Sequence, residues 1–216
     1  MEYKIAIVYT GMPVKLVSML EGALAKRFEG DKITIITLSD PSIIADAVKN
    51  GSPSREASKR LYLMYAQAVA AGADVILSAC SSVGDLAAAA QPGLAAVGVP
   101  LVRVDERMAE DAVAHYRKIG VIATLSSTME PTKRLIRACA ERQGREIELT
   151  GVLADNAFGG GPEPLIEAAK KLGGVECIVL AQGSMGDSEQ AVAEATGKKV
   201  YSSPAWGAQG VYEAVK

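Results

Sequence analysis

The chain has 216 residues, 49% of them hydrophobic and 22% charged, with a net charge of −2. That is apolar material for one large domain or two small ones, and aromatic residues, at 5%, are too few for a base-stacking nucleic-acid binder. The longest apolar runs have the length of strands, which argues against a membrane span, and three cysteines with a single histidine fit free thiols in a cytoplasmic protein better than a disulfide framework or a histidine-based metal site.

Residues 4–9 (KIAIVY) form the continuous β-branched run expected of a strand buried on both faces. No cleavable small-residue site follows, so this run is expected to start the fold. Thr10 and Gly11 turn the chain, Pro13 is placed for a first helical turn, and a helix over residues 14–28 puts Leu16, Met19, Leu20, Ala23 and Leu24 on one face. A second strand, 32–38, leads into a polar stretch ending at Pro53, with a short helix over 43–49 inside a loop that covers the strand ends. Ser54 is expected to cap a long helix reaching Ala71. A strand at 75–79, a polar turn at Cys80, a helix over 83–90, a break at Gln91-Pro92-Gly93 and a strand at 99–104 follow. A helix over 106–117 then leads to 119–123. The last strand is 199–202, and 204–215 closes the chain as a helix.

The sequence contains this pattern twice. GADVILSACSSVGD, from Gly72 to Asp85, matches GVECIVLAQGSMGD, from Gly174 to Asp187, and the difference at the tip is Cys80 against Gln182. YKIAIVYT, starting at Tyr3, aligns with RKIGVIAT, starting at Arg117, and DKITI with REIEL. The second copy is shorter where the first has its polar loop before the long helix. Alternating strands and helices give α/β architecture with a parallel sheet flanked by helices in each half. Two lobes related by a pseudo-twofold axis are expected, residues 1–104 plus 204–216 and residues 105–203, with a ligand cleft between their strand ends. The last helix is expected to return to the first half.

In that cleft Cys80 would face Gln182, with Thr10 and Thr124 nearby at the ends of the first strands. Cys80 has the setting of a reactive thiol, because turn N–H groups and a helix N-terminus can stabilise a thiolate; the alternative is a small buried apolar residue, against which Ser81 and Ser82 argue. Cys139 and Cys177 lie among apolar residues and read as core. Ser81, Ser82, Gly183 and Ser184, with Thr10 and Thr124, can donate to an anionic group. Helix capping is the competing role for these hydroxyls, and Thr128 with Pro131 reads as such a cap. Asp85 and Asp187 read as partners of helix dipoles, and His115 and Arg55 as solvated. Residues 158–162 (FGGGP) lack a phosphate-loop signature and read as a mobile loop beside the cleft.

The strand end Ala79-Cys80-Ser81-Ser82, the segment GVIATLSST at 120–128 and the duplication together resemble the aspartate/glutamate/hydantoin racemase superfamily, over nearly the whole chain. The resemblance implies flavodoxin-like lobes with four-stranded sheets, no cofactor and no metal, a small carboxylate or hydantoin substrate, and a homodimer. It implies cysteine-based proton transfer at an α-carbon, with one cysteine from each half on opposite faces. Cys80 matches the first cysteine, and Gln182 stands where the second belongs. An amide is no base. Three readings follow: a racemase whose second face uses water or Ser184; a one-cysteine decarboxylase, lyase or cis–trans isomerase using Cys80 alone; or a binding protein that keeps the cleft. The superfamily's decarboxylases carry their cysteine in the other half.

Overall fold

The computed structural model describes residues 1–11, 14–154, 157 and 160–216. The expectations for Pro13, Phe158 and Gly159 lie outside them. The first half runs β1 (Glu2–Tyr9), α1 (Val14–Arg27), β2 (Lys32–Ser39), α2 (Pro41–Asn50), α3 (Arg55–Ala70), β3 (Val75–Ser78), α4 (Gly84–Ala96) and β4 (Leu101–Arg103). The second runs α5 (Glu106–His115), β5 (Lys118–Ala123), α6 (Ser126–Arg142), β6 (Glu148–Leu153), α7 (Glu163–Lys170), β7 (Cys177–Leu180), α8 (Glu189–Thr196), β8 (Lys199–Tyr201) and α9 (Ser203–Val215).

These strands form two parallel four-stranded sheets, ordered β2-β1-β3-β4 and β6-β5-β7-β8. The duplication extends to register: Lys4 pairs with Thr34 and Ile5 with Val75 in one sheet, Lys118 with Glu148 and Ile119 with Cys177 in the other. The repeated acidic residue before the third strand has one job in both copies. Asp74 accepts from the Lys4 N–H at 2.7 Å, and Glu176 from the Lys118 N–H at 2.9 Å, so each satisfies a donor at the start of a central strand.

Each sheet is buried on both faces, as its Ile/Val-rich central strands require. Tyr3, Ile5 and Ile7 of β1 pack with Leu20 and Leu24 of α1 and with Ala208 and Val211 of α9. The opposite face, with Ala6 and Val8, carries Ile43, Leu61, Tyr65 and Ala87 from α2, α3 and α4. In the second half α5 supplies Met108, Ala112 and Val113 to the β5 core alongside Leu135 and Ile136 of α6. Each lobe therefore donates the helix after its fourth strand to the other lobe.

Three local expectations are corrected. The polar stretch after β2 holds a full helix, α2, which Asp40 starts by accepting from the Ser42 N–H and which ends at Gly51 with φ 77°. Pro92 does not break α4, which continues to Ala96. One helical N–H is lost there, but Leu94 beyond it still packs on the first-half core. Thr128 caps nothing: α6 begins at Ser126, so Thr128 lies in its first turn with its side chain turned to Ser82.

Candidate active site

Both repeated turns leave a buried strand in the same way. Cys80 (φ −144°, ψ 116°) follows β3 and Gln182 (φ −112°, ψ 136°) follows β7, and both are extended backbone. After Cys80 a single 3-10 turn, Ser81–Val83, leads straight into α4. After Gln182 the 3-10 segment is longer, Gly183–Ser188, and α8 starts at Glu189. Each turn is covered by the helix that follows the first strand of the other half, α6 over Ser81–Val83 and α1 over Gly183–Ser188. Gly183 matters here: a Cβ at this position would come within 2.8 Å of Leu16 Cδ1 on α1.

This crossed packing forms a half-open cavity of about 80 Å³. Thr10, Cys80, Ser81 and Ser82 line it from one half, and Gln182, Gly183 and Ser184 from the other. Of the predicted residues only Thr124 does not line it, and it stands directly behind Gln182. The Gln182 amide is fixed at both ends by that threonine: its Nε2 donates to Thr124 Oγ1 at 2.8 Å, and its Oε1 accepts from the Thr124 N–H at 3.0 Å. Both residues are buried.

Cys80 is half-buried and lines the cavity. Burial pushes its thiol above the ordinary value, and the Asp105 carboxylate adds to this. The nearby Thr10 hydroxyl and the backbone N–H groups of Ser82 and Val83 pull the other way and are outweighed. Burial therefore opposes the thiolate that the turn and helix would favour. The Thr10 and Ser81 hydroxyls are buried without a hydrogen-bond partner of normal geometry. The Ser82 hydroxyl is engaged across the lobes, 3.0 Å from Thr128 Oγ1 and 3.4 Å from Ser127 Oγ.

Several features of the site have no counterpart in the sequence reading. Leu16, Ile44 and Leu125 give the cavity apolar walls. Arg103, at the end of β4, is buried and bonds Asp105 through Nε at 3.1 Å and Nη2 at 3.3 Å. It lies beneath Gly84, where a Cβ would fall 2.2 Å from Nη2, so the α4 N-terminus rests on this ion pair. A charge inside the apolar run LVRV with an aspartate two residues on was the signal for it. Asp85 and Asp187 do more than face dipoles: Asp85 bonds Arg134 of α6 at 2.6 Å, and Asp187, in the 3-10 segment before α8, bonds Lys15 of α1 at 2.6 Å. Each repeat thus sends its aspartate to the helix that follows the first strand of the other half. Arg55 is exposed and does not line the cavity, His115 is exposed and bonds the Asp111 carbonyl, and Cys139 and Cys177 are buried core.

The chain belongs to the Asp/Glu/hydantoin racemase family, which it matches over residues 14–211. Its fold is that of the solved racemases. A proposed Asp/Glu racemase from Yersinia pestis shares 20% identity at a TM-score of 0.72, over 99% of this chain and 100% of that one. A glutamate racemase isoform from Bacillus anthracis shares 14% at 0.74, over 96% and 79%. A Nocardia farcinica maleate cis–trans isomerase, solved as a cysteine-to-serine variant with a covalently bound succinylcysteine intermediate, shares 17% at 0.64, over 100% and 93%. No curated protein compared with the chain matches it. No described helix is long and apolar enough to cross a membrane, and no group of three or more His, Cys, Asp or Glu among the described residues is placed to hold a metal ion.

Proposed function

We propose that this chain is an isomerase-type enzyme that moves a proton at the α-carbon of a small carboxylate without a cofactor, with Cys80 as its one side-chain base and water as the proton source on the opposite face. The observation that supports this best is the double tie between Gln182 and Thr124. It commits the amide to holding the end of β5, and an amide is neither a useful acid nor a base near neutral pH. One face of the cavity then carries a thiol and the other a fixed hydrogen-bonding wall. In turnover the thiol first yields its proton to water against the burial that holds it; the thiolate takes the α-proton, water on the second face protonates the enediolate-like carbon, and the hydroxide so formed takes the proton back from the thiol. The unpartnered Thr10 and Ser81 hydroxyls, with turn N–H groups at Ser82 and Gly183, receive the carboxylate as it becomes enediolate-like. Ser184, half-exposed on the second face, positions water for exchange with solvent. The two lobes are taken as residues 1–104 with 204–216, and 105–203; a homodimer and a cytoplasmic location accompany this reading.

The succinylcysteine of the maleate isomerase favours a second reading, in which the Cys80 thiolate adds to the double bond of an unsaturated carboxylate and leaves after rotation. One experiment separates them. The protein is incubated in D₂O with saturated and unsaturated carboxylates, and deuterium at the α-carbon is followed by NMR while intact mass reports adducts. Exchange that disappears in Cys80→Ala supports proton transfer; a Cys80 adduct with cis–trans conversion supports the second reading. Exchange that survives Cys80→Ala overturns both by taking the chemistry away from Cys80, and neither signal in the wild type overturns both in favour of a non-catalytic binding cleft.

A further inference from the structure

The turn that carries Cys80 has a buried charge pair at its base, and the turn that carries Gln182 does not. Ile76 and Leu101 pair on neighbouring strands and pack in the same core, and the next residues on that face are Ser78 and, beside it, Arg103. The Val104 N–H donates to the Ser78 carbonyl at 3.1 Å and carries the ladder past the strand ends, which brings Asp105 alongside Cys80. Arg103 and Asp105 are both buried and bond each other at 3.1 and 3.3 Å. The guanidinium lies so close under Gly84 that a Cβ there would meet its Cζ at 2.7 Å. The repeat supplies a control within the molecule. Ile178 pairs with Val200 as Ile76 does with Leu101, so Leu180, Ser202 and Pro204 stand where Ser78, Arg103 and Asp105 stand. A Cβ at Gly186, the match of Gly84, would meet Pro204 Cγ at 3.2 Å and Ser202 Oγ at 3.3 Å. The strand–turn–helix backbone therefore forms without an ion pair beneath it, and the copy that has one is the copy with the thiol.

We infer that Arg103 and Asp105 are positioning residues for Cys80, and that the pair sets the charge at the sulfur, with the carboxylate level with the thiol and the guanidinium tethering it under the α4 N-terminus. The inference rests on the proposed function only for the use made of the thiolate. A carboxylate buried next to a thiol disfavours the thiolate, and Asp105 acts on Cys80 in that sense. The gain comes after ionisation, because a thiolate that is harder to form is a stronger base towards an α-proton. Arg103 limits the effect by offsetting a carboxylate that would be costly to bury alone. The elements packed around the turn carry other ionisable groups with different partners. Tyr65 of α3 lies 2.9 Å from Ser78 Oγ in a hydrogen bond, and burial pushes its phenol up. Asp46 of α2 accepts from the Ser54 N–H at 2.6 Å, and Glu106 of α5 from Gln91 Nε2 at 2.8 Å. Asp85 of α4 pairs with Arg134 of α6 at 2.6 Å and Glu130 of α6 with Lys133 at 3.5 Å, while Lys49 of α2 and Arg137 of α6 are exposed.

The test follows alkylation of Cys80 by iodoacetamide against pH, read by peptide mapping, with fold checked by far-UV circular dichroism. Asp105→Asn leaves the guanidinium beside the thiol. It should bring the midpoint below the free-thiol value of about 8.5, with labelling at pH 7 at least about tenfold faster than in the wild type. Asp105→Glu should restore the slow labelling. Arg103→Met should raise the midpoint above that of the wild type by about one unit. Opposite shifts identify charge, because a turn merely loosened by losing a strut would move both variants from the wild-type value towards about 8.5. Arg103→Asp combined with Asp105→Arg keeps a pair and reverses its order, so it should label faster than the wild type and serves where a single variant fails to fold. Shifts of one sign in both single variants, or an unchanged profile in the reversed pair, overturn the inference. A wild-type midpoint at or below about 8.5 overturns it whichever variants fold. Opposite shifts in a protein whose wild type shows no deuterium exchange would defeat the proposed chemistry and leave this inference in place. Cys80-dependent exchange with a labelling profile that Asp105→Asn does not move would do the reverse.

Discussion

Replacing Gln182 with alanine tests whether this residue is a structural tie. The substitution removes two buried hydrogen bonds, 2.8 Å from Nε2 to Thr124 Oγ1 and 3.0 Å from the Thr124 N–H to Oε1. At about 1 kcal/mol net for each, the direct loss is about 2 kcal/mol, and the Thr124 N–H left buried without an acceptor adds about 1 kcal/mol or more. The site borders a cavity, so water entering the space can satisfy the orphaned N–H and bring the cost back to about 2 kcal/mol. Thr124→Ala removes only the bond to the hydroxyl, since the backbone N–H remains, and should cost about 1 kcal/mol. A double-mutant cycle read by urea denaturation should therefore show the two changes to be non-additive, with a coupling of about 1 kcal/mol. If Gln182→Ala costs less than about 0.5 kcal/mol and the cycle is additive, the amide is not committed to Thr124, and the reasoning that takes it out of acid–base chemistry fails.

Cys80 should react slowly with iodoacetamide at neutral pH, with the rate rising only above the ordinary thiol value of about 8.5; rapid labelling at pH 7 would contradict the dominance of burial at this thiol. The same group makes stability fall with alkali. Folding holds its proton more tightly than the unfolded chain does, so its contribution is complete below about pH 8.5 and is lost as pH climbs towards the folded value, which a comparison with Cys80→Ala isolates. Asp105→Ala leaves the Arg103 guanidinium buried and unpaired and should cost about 3–5 kcal/mol by urea denaturation. Arg103→Met with Asp105→Leu should recover most of that loss, and a double variant no more stable than Asp105→Ala would count against a charge-pair account. Lys15→Ala and Arg134→Ala, which break exposed interlobe pairs, should each cost under about 1 kcal/mol and show their effect only at low salt.

The duplication carried most of what was legible about the fold. Strand-length apolar runs repeated in one order dictate two parallel sheets, and the aligned acidic residues Asp74 and Glu176 do the same work in both. The tip residues Cys80 and Gln182 could be paired on paper because backbone geometry follows the repeat. Local signals misled where tertiary packing outweighs propensity. Pro92 marks an end to a helix that Leu94 continues, and Thr128 resembles a cap in a helix that begins two residues earlier. The helix expected over residues 43–49 is present and longer at both ends, because Asp40 caps it, Pro41 opens it and Gly51 closes it.

By itself, then, the sequence determined the α/β class, the two-lobed repeat and which turns meet, because hydrophobic periodicity and internal repetition are properties of the chain read in order. Only the tertiary structure decided what those turns do. The state of the Cys80 thiol, the double tie of Gln182 to Thr124, the ion pair beneath Gly84 and the apolar walls from Leu16, Ile44 and Leu125 all depend on which groups are brought together and stripped of water. A hydroxyl, an amide or a thiol has the same letter in solvent and in a closed cavity. Its partners and its desolvation set its chemistry, and those are fixed when the helix after the first strand of each half packs across the site turn of the other.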